Sequence, residues 1–555
     1  MTTIESSPET VAADAADDGG GDNSLDTMVG SFASTDHKVI GKMFVGAGAL
    51  GLLAIVVVNI LVGVERVDGD NAALAVDAWA QLLDGQRVSF VFGALLPLAL
   101  GLTLSVVPLQ LGSRALAFPR LATFGFWAWL GGAVLIVIAL SNDGGTSGGE
   151  ADMVGLFIGA HALMAIGIAA AAGTLATSVL TTRAPGMTMR RVPFFSWSAL
   201  VFALGLLLVM PVLLGTLVYL FLDHRNGRTG FGGNEGITEW AGWVFTQPTT
   251  FVMAVPAIGV FVELVPITFR RRTPARGVFF AGLALVAFAA LAGVTQRNIF
   301  ALPWSGPGLN LDDLADKVDD LVPYFFFNVI PVIGVSIVSL MALYLAIPQK
   351  GTRVNVTPAF AFAFFGFGMI LLGMLGSALY AINDVGLQQT VFEEGVLVLV
   401  VYGSVLALMG GLTHWSPKLF GVALSAGSAS LLALLGVIGT ILAALPLYVA
   451  GFLDQPAGLA YADDDLQAWN IIALVGHGLM AVTVLGFLAL MALAVRKGQD
   501  LVDDPWDGQT VEWTTSSPAP MDNYVEVPVV QSAEPLLDLE AAAGNGNGNG
   551  NGSEN

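Results

Sequence analysis

Residues 190–225 read RRVPFFSWSALVFALGLLLVMPVLLGTLVYLFLDHR, and between Arg191 and Asp223 no side chain carries a charge. Crossing the hydrocarbon core of a bilayer takes about 20 apolar residues in a helix, so this stretch is long enough. Lipid offers no partner to backbone N–H and C=O groups, and a span of this kind must be a helix that satisfies them internally. Its two flanks differ. Arg183, Arg190 and Arg191 precede it, whereas the Gly-rich turn DHRNGRTGFGGNEG (223–236) follows.

The same pattern recurs along the chain. Candidate spans lie near 41–66, 88–112, 120–140, 153–180, 194–222, 239–268, 277–298, 322–347, 357–382, 392–415, 418–450 and 470–495. The 555 residues are 55% hydrophobic and 12% charged, with mean hydropathy +0.75. This predicts an all-α integral membrane protein of about twelve transmembrane helices. Of the 22 Lys and Arg residues, sixteen fall in loops on one side and six on the other, and the asymmetry alternates span by span. By the positive-inside rule both termini are then cytoplasmic.

The net charge of −21 is concentrated in the tails. Residues 1–33 hold seven acids and residues 498–555 eleven, with no Lys or Arg in either. The expected organisation is a disordered acidic tail (1–33), a twelve-span membrane domain (34–498), a cytoplasmic C-terminal segment (499–540) and a disordered Gly/Asn tail (541–555). The outer stretch NLDDLADKVDD (310–320) suits a short amphipathic helix on the membrane surface. There is no cysteine, which excludes disulfides, thiolate metal sites and Cys nucleophiles. The N-terminus shows no basic region followed by a short apolar run, the mark of a cleaved signal peptide. No phosphate-binding loop or soluble catalytic domain is visible, which argues against an ATP-driven pump. No feature points to nucleic acid.

Charged or imidazole groups inside a bilayer are functional candidates by default. Here they are His161, Glu263, Arg297, Glu393, Glu394 and His477. Glu393, Glu394 and Arg297 sit near outer span ends, where long side chains reach the interface. Glu263 is placed to snorkel toward, or pair with, the bases of ITFRRR. His161 and His477 suit hydrogen bonding between helices. The remaining histidines, His37, His224 and His414, lie in loops or at span ends, and no two of the five share one face of a helix. In span six, FTQPTTF (245–251) reads as a proline kink with Thr hydroxyls placed to cap freed carbonyls.

Several loop motifs carry a resemblance. TDHKVIGKMF (35–44), VVPLQLGSRALAFPRL (106–121), TTRAPGMTMRRVPFFSWS (181–198), WSPKLFG (415–421) and DDPWDGQTVEWTTSSPAP (503–520) occur in the order and spacing of subunit I of the heme–copper oxidases. The chain resembles that family from about residue 34 to 535. The resemblance implies a twelve-span fold, two hemes and a copper held by six histidines, and electron transport to dioxygen with proton pumping. Carried over position by position, the heme ligands fall on Gln86, Gly395 and Leu397, and the copper ligands on Gln247, Gln296 and Arg297. Phe251 stands for the cross-linking tyrosine, Thr249 for the proton-relay glutamate, and Ala457-Gly458 for the arginine pair at the heme propionates. Span eight lacks the proton-channel lysine.

Gln and Thr oxygens are poor ligands for heme iron and copper(I). The sequence therefore leads to the expectation of a catalytically inactive paralogue with no cofactor. Such a chain would serve as a structural or accessory subunit in a prokaryotic plasma membrane. Its expected partners are lipid and other oxidase subunits: a subunit II-like or subunit III-like chain, or a genuine subunit I. Two alternatives stay open: a terminal oxidase using other ligands, and a proton or small-molecule transporter on the same scaffold. In the transporter reading, the Phe-rich segments FFAGLALVAF, PYFFFNV and PAFAFAFFGFG refill the centre.

Overall fold

The computed structural model describes Gly30 and Gly230 and residues 33–67, 74–146, 148–228, 236–295, 318–348, 354–458, 464–499 and 501–539. The two expected disordered tails lie largely outside these residues, as does most of NLDDLADKVDD. The described chain is a bundle of helices: α1 His37–Glu65, α2 Ala78–Gln110, α3 Pro119–Ser141, α4 Ala151–Thr181, α5 Phe194–Arg225, α6 Thr250–Thr268, α7 Gly277–Gly293, α8 Leu321–Ala346, α9 Pro358–Tyr380, α10 Phe392–Phe420, α11 Ala426–Phe452 and α12 Gln467–Lys497. Eleven are long and apolar enough to cross a membrane; α7 is shorter and carries a 3₁₀ turn at Ala287–Ala289. The one described strand pair is a hairpin of Gly144–Gly145 with Gly148–Gly149.

Span six is not one kinked helix. A short helix (Gly236–Ala241), a 3₁₀ turn (Gly242–Val244) and an irregular turn precede α6, which starts only at Thr250. Pro248 lacks an N–H and disfavours helical geometry at Gln247, so the break falls there. The expected caps do not form: Thr249 Oγ1 and Thr250 Oγ1 are buried with no partner among the described residues.

Three helices form the interior. The most apolar windows of α2, α6 and α10 are 94%, 100% and 100% buried, against 33% for α1, α8 and α12. Sequence neighbours pack as antiparallel hairpins, most extensively α9 with α10, α3 with α4 and α11 with α12. Close approach depends on glycine: a Cβ at Gly366 would stand 2.3 Å from Gly403 O, and one at Gly403 2.7 Å from Gly366 O. Such small-residue contacts replace a hydrophobic driving force that does not operate between helices in lipid. The Phe-rich segments split between inside and outside. Phe279 and Phe362 are buried, whereas Phe288, Phe325, Phe326 and Phe364 are exposed on the bundle's flank.

The loops rich in bases share one end of the bundle, and the C-terminal segment is laced across them. Asn523 Nδ2 donates to Ser113 O (2.8 Å), and its Oδ1 accepts from Lys38 Nζ (2.9 Å). The amide of Asn523 also contacts His37 Nε2, which binds α1 to the tail. Tyr524 OH donates to Leu109 O at 2.6 Å, and Trp506 Nε1 to His414 O at 2.9 Å. Arg270, Arg272 and Arg276 pair with Asp507, Asp538 and Glu534 of the same segment.

At the centre of this cap Glu512 is fully buried, with Oε1 accepting from Gln110 Nε2 (3.1 Å) and Trp415 Nε1 (3.3 Å). Burial pushes its carboxyl above the ordinary glutamate value, against the hydrogen bonds from Gln110 and Trp415 that lower it. A carboxyl raised in the folded state contributes stability that is present at low pH and lost as pH rises through the folded value. Docking of the tail is accordingly expected to be tightest in mildly acidic solution and to loosen as pH rises. Glu512→Gln keeps an oxygen acceptor and should flatten that dependence. Limited proteolysis of the tail as a function of pH reads both, and an equally steep profile in the variant would refute the assignment to Glu512.

Candidate functional site

The polar groups of the interior converge at the end of the bundle opposite the basic loops, where α2 passes the start of α10. Glu393 and Glu394 occupy the first turn of α10, where the positive end of the helix dipole favours acids. They do not reach the interface as expected. Glu393 is buried, and Glu394 lies within a closed hydrogen-bonded chain. Arg66, just past α1, binds Glu394 Oε2 at 2.8 Å, with the two side chains only 3% and 12% exposed. Gln86 Nε2 donates to Glu394 Oε1 (3.1 Å) and to Asn59 Oδ1 (2.9 Å). Asn59 Nδ2 donates to the Tyr402 hydroxyl at 2.6 Å. With its oxygen accepting there, Tyr402 gives its own proton to His477 Nδ1 at 3.0 Å.

The chain Arg66–Glu394–Gln86–Asn59–Tyr402–His477 thus ties α1, α2, α10 and α12 together through side chains. A second branch starts at Glu393. Tyr380 OH contacts its Oε2 at 3.4 Å, and Gln247 Nε2 reaches its backbone carbonyl at 3.4 Å. Glu393 Oε1 and Gln247 Oε1 are buried without a partner among the described residues. Between the branches, Gln86, Arg87, Thr246, Glu393, Glu394 and Leu397 line a cavity of about 20 Å³. That volume holds one water, for which the unpartnered carboxylate oxygen of Glu393 is a ready partner.

The other residues singled out from sequence are dispersed. His477 does bridge helices, as expected. His161 does not: its Nδ1 bonds Phe157 O of its own helix at 2.9 Å, and Nε2 has no partner among the described residues. Its ring is packed against Phe92, Phe157 and Phe245. Glu263 neither snorkels nor pairs with the bases of ITFRRR; its Oε2 accepts from Phe195 N at 2.9 Å and so caps the start of α5. Gly395 is covered by the ring of Tyr448, which a Cβ there would meet at 2.8 Å. Phe251 is fully buried. The Ala457 and Gly458 carbonyls accept from Arg66 (3.4 Å) and Trp79 (3.0 Å). Gln296 and Arg297 lie outside the described residues.

Sequence reasoning missed Asn59, Arg66, Tyr380 and Tyr402. A polar residue in mid-span was the available signal for Asn59 and Tyr402. Arg66 had been counted only as an outer-loop base. Among the described residues no three His, Asp or Glu side chains are grouped as a metal would need.

The bundle and its interior define a multi-pass, all-α membrane protein. A family model described as cytochrome c and quinol oxidase polypeptide I matches residues 39–297. Cytochrome c oxidase subunit 1 of Bacillus subtilis (strain 168) is 27% identical over 541 residues, covering 93% of this chain and 84% of the relative. Cytochrome bo(3) ubiquinol oxidase subunit 1 of Buchnera aphidicola subsp. Schizaphis graminum is 27% identical over 546 residues, covering 92% and 79%. A cryo-EM structure of a heme–copper terminal oxidase dimer shares the fold with a TM-score of 0.64 at 14% identity, covering 92% of this chain and 90% of that one.

Along more than nine-tenths of its length the chain is similar to subunit I of the heme–copper oxidases. This similarity, which includes a solved heme–copper terminal oxidase, overturns the expectation that no cofactor is bound.

Proposed function

We propose that this chain acts as a structural, accessory subunit I-like component of a respiratory membrane complex and not as its dioxygen-reducing centre. One observation carries it: Gln86, on which the resemblance places a heme ligand, is engaged in holding helices together. Gln86 spends its amide on Asn59 and Glu394, Gly395 is covered by Tyr448, and Leu397 has no donor atom. These residues do not fit the axial positions of imidazole-ligated hemes. Gln247, likewise, does not fit a copper site that imidazole would fill. No step through heme or copper is therefore derived.

The relatives are numbered subunits of oxidases, which supports the kind of partner. Subunit II-like and subunit III-like chains, or a complete subunit I, are the proposed partners, in the plasma membrane of a prokaryotic cell.

Affinity purification from native membranes, with heme and copper analysis and dioxygen uptake, tests the reading. Other oxidase subunits should co-purify, and Gln86→Ala should leave the uptake of the complex unchanged. A second reading, a terminal oxidase using other ligands, is favoured by the similarity to oxidase subunits I and by the unpartnered, buried Nε2 of His161. Stoichiometric heme and copper on the isolated chain, with uptake abolished by His161→Ala, would establish it and overturn the first.

A further inference from the structure

Between α6, α8 and α9 lies a cavity of about 360 Å³, walled by Phe261 and Val265 of α6, Ala342 and Leu343 of α8, and Phe364 and Phe367 of α9. The Phe261 and Phe367 rings stack at 4.3 Å and form its floor. Ser339 supplies the one hydroxyl in the wall, and it is already used, donating to Val335 O at 2.9 Å. The mouth opens on the flank of the bundle, where α8 and α9 touch only sparsely and Leu343 and Phe364 are 65% and 51% exposed.

The wall chemistry selects the occupant. Protein interiors are close-packed, and a void of this size open to a bilayer fills. Water finds no partners here. A quinone ring would leave its carbonyls unpaired in an apolar site. A hydrocarbon chain loses nothing. At the basic end of the cavity, Arg271 stands between Phe269 and the end of α8, its Nη1 donating to the carbonyls of Tyr344 (3.1 Å), Leu345 (2.9 Å) and Ile347 (3.2 Å). Its guanidinium lies 5.5 Å from the Tyr344 ring centre. Arg270 and Arg272 have carboxylate partners in the tail; Arg271 has none among the described residues. A fixed cation two residues beyond the wall residue Phe269, bound to the carbonyls on either side of the wall residue Ala346, matches the phosphate of a lipid whose tail lies in the slot.

We propose that this cavity binds one acyl chain of a membrane phospholipid whose phosphate is held by Arg271. Gly368 provides the test, because it lines the cavity and a Cβ there meets nothing within 4 Å. Gly368→Leu places a side chain in that space from a Cβ that touches nothing. The full chain, purified in mild detergent after incubation with phosphatidylglycerol–phosphatidylethanolamine vesicles, is weighed by native mass spectrometry.

The unaltered chain should retain a phospholipid that Gly368→Leu loses, while Arg271→Gln lowers retention about fivefold, the effect of one cation at a membrane surface. A phosphatidylglycerol with a photoreactive acyl chain should label α8 and α9 peptides in the unaltered chain, a readout that needs no variant. Equal lipid retention in Gly368→Leu, labelling confined to other helices, or a quinone released in place of phospholipid would each overturn the assignment.

Discussion

Glu394→Ala is expected to lower stability by about 3–5 kcal/mol, the range for removing one partner of a buried ion pair. The loss arises because Arg66, 3% exposed and 2.8 Å from Glu394, is left as a charge with, among the described residues, the Ala457 carbonyl and the Trp79 ring beside it. Gln86 also loses its Glu394 acceptor, although Asn59 keeps it partly satisfied. Replacing both partners with apolar residues of similar volume removes the uncompensated charge, so Arg66→Met with Glu394→Met should recover most of the loss. Thermal unfolding in detergent, followed by circular dichroism, measures all three chains. If the single variant melts with the parent, or the double variant is no better than the single, the pair does not hold α1 to α10.

Gly403→Leu should be comparably severe. The new Cβ would meet Gly366 O at 2.7 Å, Met369 Cβ at 2.8 Å and Ile370 N at 3.0 Å, and two of those atoms are backbone that cannot rotate away. Overpacking of a dense interior costs about 1–3 kcal/mol when side chains can yield. With the α9 backbone as the obstacle, the upper end of that range or more is expected. The readout is the yield of monodisperse protein after solubilisation, with Gly368→Leu on the facing helix α9 as the control, where a Cβ meets nothing within 4 Å. Equal yields from the two variants would show that α9 and α10 separate easily.

Much of the architecture was legible because lipid leaves so few solutions. Apolar runs of bilayer length and alternating loop charges predict the bundle and its sidedness without any knowledge of contacts. What failed were the inferences about the surroundings of Glu393, Glu394, Glu263 and His161. Glu393 and Glu394 were assigned to the interface from their distance along the span, yet their partners come from other helices. Gln86 and Glu394 are 308 residues apart, and Asn59 and Tyr402 are 343 apart. Glu263 was read against the bases that follow it in sequence, while its partner is an N–H on α5. Position 248 shows the opposite case, since proline's constraint is local and the helix boundary falls beside it.

The tail that crosses the basic loops also bears on the order in which the protein is made. His37 and Asn523 are separated by 486 residues and Lys38 and Asn523 by 485, so the first helix to enter the membrane waits for nearly the last part of the chain. Until the ribosome has released that part, His37, Lys38 and Gln110 have their contacts with Leu104, Asp36 and Ser196 but not those with the tail. A chain that stops short of residue 506 carries all its spans and yet leaves the basic end of the bundle without its cap.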